Sequence, residues 1–161
     1  MLTVPQQQTL KTFIQNDGTL SAVPNTLDGA WTLANLLNLI ASPAFIVWKT
    51  NVAIDEVMRN GMDWARVDNL SVGKARIWEW MTKLGTINAA KANIRAGIDA
   101  TWVGTAADLA VRAHVYTHCK RSATVIEKLF ATGTGTDVSP ATMDFEGAIS
   151  PQDVYDARNA G

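Results

Sequence analysis

The chain is divided into short apolar-periodic segments, most opened by a capping residue and closed by glycine or proline. That punctuation limits the possible folds more than any other feature. Thr3 followed by Gln6 reads as a capping box with Pro5 in the first turn, a pattern that satisfies the orphan amides of a helix start. Leu10, Phe13 and Ile14 then form one apolar stripe before Asp17-Gly18 ends it. A second helix begins near Asn25 or Thr26. Ala30, Trp31, Leu33, Ala34, Leu37 and Ile40 give it a broad apolar face, and Pro43 stops it. Phe45, Val47, Trp48 and Val52 read as an extended connection, Ile54 to Arg59 as a short helix, and Asn60-Gly61 as a stop.

Stronger helices are predicted downstream. Ser71 precedes one over 71–84 that Gly85 closes, and Asn88 caps one over 88–103 that Gly104 ends. Thr105 with Asp108 opens the longest, 105–131, in which Leu109, Ala113, Tyr116, Cys119, Ala123, Ile126 and Phe130 recur every three or four residues. The run from Thr132 to Asp137 is a glycine-rich turn, 142–149 reads as a short strand or extended arm, and Ser150, Pro151 and Asp153 start a final helix. The expected fold is all-α: a compact bundle of roughly five to seven helices, with a less regular C-terminal arm holding one short strand or hairpin. The expected organisation is a helical domain over 1–131 and an arm over 132–161. That arm packs on the same domain or docks on a neighbour.

The 161 residues are 47% hydrophobic with a formal charge of −1, which leaves room for a real core and excludes intrinsic disorder. A single cysteine, Cys119, excludes a disulfide framework and any multi-cysteine zinc module. Fourteen basic against fifteen acidic side chains argue against a uniformly basic nucleic-acid binder. The stretch from Met1 to Gln8 has neither a basic nor an apolar signal region, so no secretory signal is expected. The uncharged run from Gly29 to Trp48 is long enough to cross a bilayer, yet Asn35, Asn38 and Ser42-Pro43 interrupt it. It reads as a buried helix, and no membrane partner is expected.

Candidate chemistry is sparse. His114 and His118, four apart, share a helix face as zinc ligands do, but Val115 stands where a metalloprotease carries its glutamate. Cys119 points about 100° away from His118. A metal-dependent enzyme at His114 and His118 is therefore the remote alternative, and no catalytic, cofactor or metal residue is assigned. The Gly133 and Gly135 loop lacks the strand and the lysine of a phosphate-binding loop. Asp55 and Glu56 are adjacent in sequence and diverge on a helix.

Aromatic and charged residues say more. Trp78 and Trp80 lie about 200° apart on a helix. Either that helix is covered on two sides or one tryptophan meets another chain. Residues 1–65 carry a net charge of −2, 66–128 of +5 and 129–161 of −4. Arg121 and Lys128, seven apart, would share a face of the 105–131 helix, with Arg112 and Lys120 beside them. The basic middle then either contacts nucleic acid or receives an acidic arm. The interface candidates are Trp78, Trp80, Arg121, Lys128, Asp144, Glu146 and Asp153.

Several blocks carry a resemblance: Trp48-Lys-Thr-Asn-Val, then Val67-Asp-Asn-Leu-Ser-Val-Gly-Lys-Ala-Arg-Ile-Trp-Glu-Trp-Met81, then Glu127-Lys-Leu-Phe-Ala-Thr-Gly-Thr-Gly-Thr136, with Phe145-Glu-Gly and Gln152-Asp-Val later. Together they resemble a family of small proteins encoded by tailed bacteriophages and proteobacterial prophages, over most of the chain from Leu2 to Asn159. The resemblance brings no catalytic motif. It implies a phage context and a virion morphogenesis module. The expected function is a non-enzymatic structural component of the virion, at the neck, head–tail connector or tail, assembled in the host cytoplasm and acting by ring-type homo-oligomerisation. Its partners would be other copies of itself and other phage structural proteins. The alternative is a phage-encoded regulatory or DNA-contacting factor that uses the basic helix 105–131.

Overall fold

The computed structural model describes every residue except Asn60 and Gly161. The chain opens with α1 (Val4–Asn16), α2 (Gly18–Ser21) and α3 (Leu27–Leu37). It continues through β1 (Ile46–Trp48), β2 (Val52–Ala53), α4 (Ile54–Arg59), α5 (Trp64–Asp68) and α6 (Val72–Lys83). Then come β3 (Thr86–Ile87), α7 (Ala92–Thr101), α8 (Ala106–His118) and β4 (Lys120–Ser122). The remaining elements are α9 (Val125–Leu129), β5 (Ala131–Thr132), β6 (Thr142–Met143) and α10 (Pro151–Asn159).

Much of the punctuation is realised. Thr3 and Gln6 close a capping box on α1, Thr105 and Asp108 one on α8, and Ser150 and Asp153 one on α10. Gly85 and Gly104 take the positive φ that lets the chain turn away after α6 and α7. Of the predicted stop at Asn60-Gly61, Asn60 lies outside the described residues. The helix expected over 88–103 starts later. The Asn88 side chain accepts from the Ala90 amide in a local turn, and α7 begins only at Ala92.

The all-α bundle is corrected. About 55% of the chain is helical, in ten helices among the described residues, and 11% forms strands in three small sheets, a mixed α/β character. β1 pairs with β4, β2 with β3 and β5 with β6. In the antiparallel β2–β3 pair, Val52 faces Ile87 and Ala53 faces Thr86. Short strands arise where the chain must satisfy its backbone groups between helix ends. The Lys49 amide, for instance, donates to the Cys119 carbonyl at 2.8 Å.

The helix expected over 105–131 is corrected for the same reason. α8 ends with Cys119 as its C-cap, β4 follows, and α9 starts afresh on a Thr124–Glu127 capping box. The break falls at Lys120-Arg121-Ser122, a wholly polar triplet between Cys119 and Ala123. A helical apolar period passes over that gap without registering it.

The chain forms two compact units, each discontinuous in sequence. The first comprises Met1–Phe45, Ser122–Thr134 and Met143–Gly161. In it α10 packs on α1 and α3, and Leu10, Ile14, Leu33, Leu37, Ile126, Val154 and Ala157 form a fully buried core. Each large aliphatic there contributes on the order of 1.5–3 kcal/mol by leaving water. The second unit comprises Ile46–Arg121 and Gly135–Thr142. Its core gathers Val52, Trp78, Ile87, Ile98, Trp102, Val111, Val115 and Cys119 around α6, α7 and α8.

Candidate functional site

The interface candidates separate into buried and exposed groups. Trp78 is buried, its ring edge-on to Trp102 with centroids 5.3 Å apart, so it belongs to the core of the second unit. Trp80, two residues on, is 66% exposed. Between Ile77 and Leu84, at spacings of three and four, it completes an apolar stripe that faces solvent along α6.

Arg121 and Lys128 do not share a helix face. Arg121 lies on β4, while Lys128 lies on α9 with its ammonium 5.6 Å from the centroid of Phe45. Asp144 and Glu146 are exposed in the loop before α10. Asp153 is committed internally: one carboxylate oxygen accepts from Ser150 and the other from the Leu2 amide at 3.2 Å. Its acidity is increased by the Ser150 hydroxyl, the Leu2 amide and the N-terminal charge, against the opposing effect of burial.

The C-terminal segment is held by its own chain. Asn38 makes a two-way bond to the Ile149 backbone, at 2.8 and 3.0 Å. Arg158 donates to the carbonyls of Val23 and Pro24, both at 2.9 Å. The buried Glu127 carboxylate accepts from the amides of Thr124 and Gly147, both at 3.0 Å.

The histidines of α8 stand side by side, ring centroids 4.8 Å apart. His114 Nε2 lies 2.9 Å from the Val57 carbonyl, a geometry that makes it the donor, and His118 Nδ1 lies 3.5 Å from Glu56. Lys49 binds the same Glu56 oxygen at 2.9 Å and keeps that carboxyl more acidic than usual. Among the described residues, no group of three His, Cys, Asp or Glu side chains is placed to hold a metal. Cys119 is buried, and desolvation raises its thiol pKa to about 11, far from nucleophilic readiness.

A cleft of about 630 Å³ in the second unit escaped sequence reasoning. Trp48 and Tyr116 form its aromatic wall, centroids 5.3 Å apart, with the Arg95 guanidinium 5.1 Å from the Trp48 ring centre. The Tyr116 hydroxyl donates to Asp99 at 2.9 Å, and burial followed by that carboxylate keeps the phenol neutral. Arg112 approaches Asp99 at 3.5 Å, and Lys120 binds Asp137 at 2.7 Å. These pairs neutralise most of the cationic wall. The arrangement suits contact through stacking and hydrogen bonding and offers no activated nucleophile. Its parts come from β1, α7, α8, β4 and the 135–142 segment, too far apart in sequence to signal one site.

Two further exposed tryptophans complete the surface: Trp31 on α3 at 61% and Trp64 on α5 at 59%. Trp31 was expected in the apolar face of its helix. It lies about 100° from Ala30, outside the arc of Ala30, Leu33, Ala34 and Leu37 that is buried. That angular offset was the available signal. Among the described residues, no helix is long and apolar enough to cross a membrane. Comparison with protein families, characterised proteins and solved structures finds no match to this chain.

Proposed function

We propose that the chain is a structural component of a tailed-phage particle, at the neck or tail, that acts by ring-type assembly of identical copies. The observation that carries this reading is the placement of Trp31, Trp64 and Trp80 in solvent, two of them within apolar helix faces. Isolated exposed apolar residues are ordinary, but rows of them containing tryptophan are the usual anchors of protein interfaces. The phage-like sequence blocks supply the context. They include Trp48 and the Val67–Met81 stretch that runs into α6.

Mass spectrometry of purified virions tests the reading. The expected result is the chain in a fixed copy number per particle, and its absence from the particles overturns the proposal. The DNA-contacting alternative relied on one continuous basic helix, and the break at β4 divides that helix.

A further inference from the structure

We propose that the exposed face of α6 is the docking site for the exposed face of α3 of a second copy of this chain. The inference deepens the assembly reading and takes from it the premise that copies meet.

The α6 face is a continuous stripe. Ile77, Trp80 and Leu84 fall within about 60° of one another at 100° per residue, and all three are exposed. A Cβ at Gly73, on the same side one turn earlier, would meet nothing within 4 Å, so another backbone can approach closely there. Along one edge of the stripe runs the exposed row Arg76, Glu79 and Lys83, net positive. The α3 face is its counterpart. Leu27 and Trp31, four apart, are exposed beside Asp28, and Leu39 and Ile40 are also exposed after the helix ends.

Charge selects which faces meet. The first unit holds three basic and seven acidic side chains, net −4, and the second eleven basic and eight acidic, net +3. α3 belongs to the acidic unit and α6 to the basic one. Contact of α6 with α6, or α3 with α3, sets like-charged units against each other. Contact of α3 with α6 sets opposite charges together and joins two tryptophan-centred faces. Because the two faces differ, the contact is head-to-tail. Each copy keeps one free face of each kind, and the assembly grows until a ring closes.

Sedimentation velocity of the full chain and of two variants, Trp31→Glu and Trp80→Glu, tests this. The wild type is expected to form species larger than a dimer, weakening as salt rises. Each variant alone should associate at least about tenfold more weakly, as expected for loss of a central anchor. Mixed in equal amounts, the variants should form a 1:1 dimer and grow no further, because Trp31→Glu retains a good α6 face and Trp80→Glu a good α3 face. Circular dichroism checks the fold of each variant, and Leu27→Asp with Leu84→Asp repeats the cross if either is misfolded.

A wild type that stays monomeric overturns the inference, as does a mixture that yields no dimer. Self-association that survives Trp31→Glu also overturns it and indicates α6 pairing with itself. Virion content is read separately. Presence in particles with a failed cross removes this contact and leaves the assembly reading, whereas a successful cross with absence from particles does the reverse.

Discussion

Asp108 joins two structural roles in one side chain. It closes the capping box of α8 through Thr105, and it binds the Arg66 guanidinium through Nε and Nη2. Those bonds, Arg66 first, hold its pKa at about 2, against about 3.9 for an unfolded aspartate. A depressed carboxyl pKa stabilises the fold above the unfolded value and loses that contribution as pH falls through the folded one. Thermal unfolding of wild type and Asp108→Asn should therefore differ most above pH ~4 and converge towards pH ~2. A gap that stays constant across that range would show that the charge has no part in it. The capping role was legible, because Thr105 and Asp108 stand at the right spacing. The Arg66 pairing was not, since forty-two residues separate the partners and no local pattern links them.

At the scale of elements, the divided 105–131 stretch shows how a correct period can mislead. Cys119, Ala123, Ile126 and Phe130 are all buried, as the periodicity required, although α8 ends and α9 begins between them. The sequence did contain the restart, as a Thr124–Glu127 capping box inside the expected helix. Helix starts at Thr3, Thr105 and Ser150 were legible because nothing apolar ran across them. The small sheets were not, because their two- and three-residue strands are too short for a period of two to emerge.

The new start makes a graded prediction. Thr124→Ala removes one cap acceptor and should cost about 1 kcal/mol. Glu127→Ala removes a buried carboxylate that accepts from the amides of both Thr124 and Gly147, and should cost more, about 2–4 kcal/mol. Urea unfolding measures both, and equal losses would mean that Glu127 is only a surface cap. The exposed α6 stripe was half legible: the 200° separation of Trp78 and Trp80 left either a helix covered on two sides or one tryptophan outside the core, and the structure shows Trp78 buried and Trp80 exposed.

For the molecule as a whole, connectivity departs furthest from the linear reading. The chain passes between its two units four times, and α10 completes the core built by α1 and α3. An arm expected at 132–161 is divided between the units, with its last part contributing Val154 and Ala157 to the first core. Deleting 150–161 should uncover Leu33 and Leu37, and limited proteolysis should then cut within residues 1–45. An unchanged digestion pattern would show that α10 is dispensable for that unit. Which distant segments share a core is a long-range property, and helix punctuation carries no information about it.

The same interleaving has a consequence during synthesis. Residues 1–45 leave the ribosome about a hundred residues ahead of the segment that completes their core, and translation at roughly 5–20 residues per second makes that a wait of several seconds. For that interval Leu10, Ile14 and Leu33 lack their α10 partners. Production of this chain in a cell therefore depends on holding its first segment unaggregated until the last arrives, and slowing translation near residue 143 would lengthen the exposure.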